Sequence, residues 1–119
     1  MTKLIIAVSK SLVGEKMVVV VELNIVPLGE GVSVSKRLAY AIKALEKKGV
    51  KYTLTPMCTV FEVETVREAF ETALAAHEAV LESGAKRVIT TVKVDDRRDI
   101  KRSMEEKIRS LEKAVETIR

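Results

Sequence analysis

The chain has 119 residues, 47% of them hydrophobic and 32% charged, with a net charge of +4, one cysteine and one histidine. That length suits a single domain with a two-layer core, and no apolar run approaches the roughly 18 residues of a membrane span. Cys58 and His77 cannot supply a disulfide framework or a Cys/His zinc site, and Tyr40, Tyr52, Phe61 and Phe70 are too few for the stacking surfaces of nucleic-acid binding.

Residues 1–16 read as an N-terminal extension in which Leu4 to Val8 supply an extra edge strand, ahead of a single domain over residues 17–119. Leu4 to Val8 is too short for a signal-peptide core, and Lys10 and Glu15 stand where small cleavage-site residues belong, so the expected location is cytoplasmic. Lys3, Lys10 and Lys16 against Glu15 place +2 of the charge in this extension, so the basic excess is no patch, and neither nucleic acid nor membrane is expected as a partner.

Met17 to Val26 is rich in β-branched residues and shifts to alternation at Glu22 and Asn24 before Pro27 and Gly29, which predicts a central strand. Ser33 or Ser35 can cap a helix whose apolar positions Val34, Leu38, Ala41, Ile42 and Leu45 share one face until Gly49. Tyr52 to Pro56 and Thr59 to Val63 read as a hairpin turning around Met57 and Cys58. Thr65 and Glu68 have capping-box spacing for a second helix running to Gly84, and Arg87 to Asp95 reads as a fourth strand. Asp99 can open a last helix, where Met104, Ile108, Leu111, Val115 and Ile118 alternate by four and three, a narrow seam of the kind that packs on a neighbouring helix or a partner chain. The order from Met17 predicts an α+β, ferredoxin-like βαββαβ fold: an antiparallel sheet with two helices on one face, plus a C-terminal helix. The other face is left bare for a ligand or a partner subunit.

Alternation puts Thr91, Lys93 and Asp95 on one side of their strand, groups Glu22 with Asn24, and groups Thr53 with Thr55. These polar sets describe either a ligand pocket or a solvated or assembled sheet surface. Glu62, placed beside Thr59 on an apolar strand, suits a protonated ring nitrogen or an exocyclic amine; its plainer use is an ion pair with Lys93. Asp95 and Asp96 point to opposite sides of a strand, a poor metal pair, so Asp99 as a helix cap and ion pairs between subunits are the expected uses of that acidic and basic run. His77 reads as a packed residue, Cys58 as an unactivated thiol, and Gly29 to Gly31 as a turn without phosphate-loop spacing. Neither a cofactor nor a metal is expected.

Asn24 to Gly29, Ser33 and Ser35, Tyr52 to Thr59 with Glu62, His77, and Arg87 to Arg97 together resemble the thiamine-binding-protein-like (YkoF-like) family, over nearly the whole chain from Met17. The resemblance implies a non-enzymatic plait that dimerises through its sheet faces and pairs into tetramers, with some members binding thiamine or its hydroxymethylpyrimidine moiety. It places the pocket along the sheet near the start of the first helix, with Ser33, Ser35, Thr55, Met57, Thr59 and Glu62, and with Asn24 and Lys93 at its margin. Cys58 departs from the glycine often found there. The implied function is a small-molecule-binding homo-oligomer; the other reading is a structural or regulatory oligomer without thiamine binding.

Overall fold

The computed structural model describes residues 18–29, 31, 34–99 and 103–118, so the expected extension and Ser33 lie outside the described residues. Strand β1 (Val19–Pro27) is followed by helix α1 (Val34–Lys48), strands β2 (Lys51–Leu54) and β3 (Thr59–Val63), helix α2 (Val66–Glu82), strand β4 (Val88–Asp96) and helix α3 (Met104–Thr117). The strands lie in the order β2-β3-β1-β4 and every neighbouring pair is antiparallel. This is the ferredoxin-like plait.

Alternation decides the faces. Val19, Val21, Leu23 and Ile25 of β1 and Phe61 and Val63 of β3 turn toward the helices and are buried. They meet Ala41 and Leu45 of α1 and Ala69, Ala73, Ala76 and Val80 of α2 in one core. The run of alanines lets α2 lie close to the sheet, where longer side chains would hold it off. His77 crosses from α2 to β4, its Nδ1 at 2.6 Å from the Thr90 hydroxyl, which fits the packed role expected of it.

Each end has a local cause. Thr65 caps α2 by accepting the Glu68 amide at 3.0 Å. Gly49, at φ +73°, closes α1: its own amide donates to the Glu46 carbonyl at 3.0 Å and the Val50 amide to the Leu45 carbonyl at 3.4 Å, a Schellman ending.

The start of α3 corrects one expectation. The cap is Ser103, which accepts the Glu106 amide at 3.3 Å while the Glu106 carboxylate accepts the Ser103 amide at 3.0 Å. Asp99 is instead held by Arg97 at 2.8 Å, and Arg98 reaches back to Asp96 at 3.0 Å. These exposed ion pairs are made within the chain, and they raise the pKa of both arginines.

Candidate functional site

A cleft of about 250 Å³ opens at one end of the sheet, between β1, the first turns of α1 and the β2–β3 turn. Its walls are apolar: Leu23, Ile25 and Val26 from β1, and Val34, Leu38, Ala41, Ile42 and Leu45 from α1. Asn24, Thr55, Pro56, Met57, Cys58 and Thr59 complete it. The cleft exists because the strands differ in length. β3 stops pairing at Thr59, opposite Leu23, whereas β1 continues to Pro27 against β4 alone among the described residues.

The ladder phase tells what that free edge offers. The Leu28 amide donates to the Arg87 carbonyl at 2.9 Å, so Leu28, and by alternation Val26 and Asn24, direct their backbone groups toward β4. Ile25 therefore directs its N–H and C=O the other way, into the space where β3 has ended. A donor and an acceptor stand side by side in the plane of the sheet, between apolar walls.

The β2–β3 turn is built around Thr55. Its hydroxyl donates to the Cys58 carbonyl at 2.8 Å and accepts the Cys58 amide at 3.0 Å and the Met57 amide at 3.3 Å. The Thr55 amide also donates to the Cys58 carbonyl, at 3.0 Å. Thr55 thus lies beyond β2 and shapes the turn, where the sequence grouped it with Thr53 on one strand face. Met57 is exposed at the tip, and Cys58 Sγ lies 3.8 Å from Glu22 Oε2.

Of the residues proposed from the sequence, the cleft brings together Asn24, Thr55, Met57 and Thr59. Ser35 is exposed on the first turn of α1 and does not line it. Glu62 stands apart, because residues three apart on a strand face opposite sides: Thr59 shares the helix side with Phe61, and Glu62 turns to the bare face. There Glu62 Oε2 accepts the Met104 amide at 2.9 Å, at the root of α3, and Lys93 lies cross-strand from Glu22. The expected pairing of Glu62 with Thr59 in one site is thereby corrected, and Glu62 engages a helix end where the sequence offered Lys93 as its partner. The backbone edge of Ile25 and the Leu38 and Ile42 wall escaped the sequence reading; the mismatch between a long first strand and a short third one was the signal available.

A larger groove, about 630 Å³, runs between α1 and α2 on the far side of the molecule, with Lys43, Lys47 and Lys48 along one wall and Glu78 and Glu82 along the other. None of the residues proposed from the sequence lines it. Among the described residues no group of His, Cys, Asp and Glu side chains is placed to hold a metal ion, and no helix is long and apolar enough to cross a membrane.

Fold and cleft together define a small ferredoxin-like protein with a ligand-sized opening at the end of its sheet. The chain belongs to the thiamine-binding protein family, whose model matches residues 21–112. It is similar to a UPF0045 protein of Methanothermobacter thermautotrophicus, 43% identical over 95 residues that cover 79% of this chain and 96% of the relative. The UPF0045 protein YqgV of Bacillus subtilis is 39% identical over 102 residues, covering 82% and 97%. Among solved structures it resembles hypothetical protein MJ1052 of Methanocaldococcus jannaschii, with a TM-score of 0.73, 35% identity and coverage of 80% and 96%.

Proposed function

We propose that this protein binds thiamine or its hydroxymethylpyrimidine moiety in the end-of-sheet cleft, without catalysing a reaction, as a cytosolic homo-oligomer assembled through its sheet faces into dimers and tetramers. The observation that carries the reading is the Ile25 edge. An aminopyrimidine is flat and apolar on its faces, with a ring nitrogen that accepts beside an amine that donates. The Ile25 amide donates to the ring nitrogen, its carbonyl accepts from the amine, and Leu38, Ile42 and Val26 pack on the ring faces. Asn24 and Thr59 add side-chain hydrogen bonds at the rim, and Met57 closes over the exposed side. The family's name supports the ligand class. Exposed Val26 and Ile89 on the bare face support assembly.

Calorimetric titration of the protein with thiamine and with hydroxymethylpyrimidine tests the assignment, alongside Ile42→Trp. Ile42 is partly buried and faces the cleft, so the indole fills the cleft while the fold stands. The expected outcome is binding of at least one compound, weakened by roughly tenfold or more in the variant. No heat from either compound at millimolar concentration contradicts the reading, as does equal affinity in the variant.

A further inference from the structure

The geometry points to α3 as a parallel pairing helix that joins this chain to α3 of a second copy. The root of the helix is fixed on the bare face of the sheet. Lys51 and Glu62 are cross-strand partners, and Glu62 and Asp95 both lie opposite Val20, so these residues form one row across that face. Each engages α3: Lys51 pairs with Glu105, Glu62 accepts the Met104 amide, and Asp95 pairs with Lys107. Met104 is buried at 6% exposure.

Beyond the root the helix exposes its apolar seam. Ile108, Leu111, Val115 and Ile118 are 57, 66, 41 and 83% exposed, although Met104 begins the same seam. The spacing is that of a heptad core, two positions in seven, which is narrower than the stripe a helix presents to a sheet and suits one partner helix. With Met104 at d, β-branched Ile108 and Val115 fall at a, and Leu111 falls at d. That choice favours two parallel strands.

Charge sets the same direction. Lys107 occupies g and Glu112 occupies e, five residues on. The Lys107 ammonium pairs with Asp95 of its own chain and has donors left over, so a parallel pair brings each Lys107 and its Asp95 partner beside the other copy's Glu112. An antiparallel pair offers Glu112 only Glu105, whose carboxylate is already paired with Lys51. The 14 residues of α3 make only two heptads, too short for a free-standing coil. Here the capping box and the three contacts to the sheet already order the first turn, so pairing does not bear the cost of starting the helix. The inference rests on the reading of the chain as a homo-oligomer, and adds a contact outside the sheet faces.

The test is disulfide trapping in full-length protein with Cys58→Ser, comparing Val115→Cys at a core position with Arg109→Cys on the outer side of the helix. Both sites are exposed in the single chain, so neither variant endangers the fold. Mild oxidation is expected to link Val115→Cys into a covalent dimer and leave Arg109→Cys unlinked, and adding Glu112→Lys lowers the yield several-fold. No link at position 115, or equal links at both positions, overturns the inference. A Leu111→Cys link without one at 115 overturns the parallel direction, since position 111 lies at the centre of an antiparallel pair. Light scattering separates the two readings: a dimer that gives no Val115→Cys link leaves the homo-oligomer in place and removes α3 from its interface.

Discussion

Leu45 shows how a single side chain serves both the core and the cleft. It is fully buried, yet it also lies at the floor of the opening between β1 and α1. Leu45→Ala removes three carbons from a packed site and is expected to cost about 2–5 kcal/mol of stability, measured by urea unfolding. Glu62 carries a different lesson. Removing its carboxylate takes away the acceptor for the Met104 amide and leaves the cleft untouched, so Glu62→Ala is expected to loosen α3 by about 1 kcal/mol. Circular dichroism through urea unfolding measures that loss, and calorimetry is expected to find ligand affinity unchanged. Sequence alternation alone separates Glu62 from Thr59, since three residues along a strand reverse the face. The partner of Glu62 was not legible, because nothing local ties a strand residue to a backbone amide 42 positions later.

At the scale of elements, the βαββαβ order was readable because each element carries its own signal. Val21 to Ile25 alternate after a β-branched run, Leu38, Ala41, Ile42 and Leu45 recur with helical spacing, and Thr65 and Gly49 mark ends. The start of α3 was legible in Ser103 and Glu106 but was hidden by Asp99, an equally good cap in isolation that the structure gives to Arg97. The cleft was harder to foresee, since it arises from register: β1 outruns β3, and a strand's paired length is set by its neighbours. The root of α3 also carries a pH response. The Lys51 ammonium, hydrogen-bonded to Glu105, lowers that carboxyl's pKa below its ordinary value. A carboxyl lowered by folding contributes stability above its unfolded pKa and loses it as pH falls through the folded value. Anchoring of α3 is therefore expected to weaken on acidification below the ordinary carboxylate range. Lys51→Ala is expected to diminish this response, and carboxyl-carbon NMR through the titration follows Glu105 directly.

Across the whole molecule the surfaces divide the work. One side of the sheet is covered by α1 and α2 and holds the core; the bare side carries Glu22, Asn24, Thr91 and Lys93 with exposed Val26 and Ile89, and α3 leaves from its far end. The cleft lies where β1 projects past β3, at the opposite end of the sheet from Glu62 and the α3 root. The proposed ligand binding and the proposed helix pairing thus fall on separate residues, which makes their independent testing practical. The central claim is that the edge of β1 beyond the end of β3, at Ile25, reads an aminopyrimidine. Amide NMR spectra of the labelled protein, titrated with hydroxymethylpyrimidine, test it most directly. The account predicts that the Ile25 amide shifts most, with Met57 and Thr59 following, at saturable concentration; an unmoved Ile25 resonance, or shifts confined to the groove between α1 and α2, contradicts it.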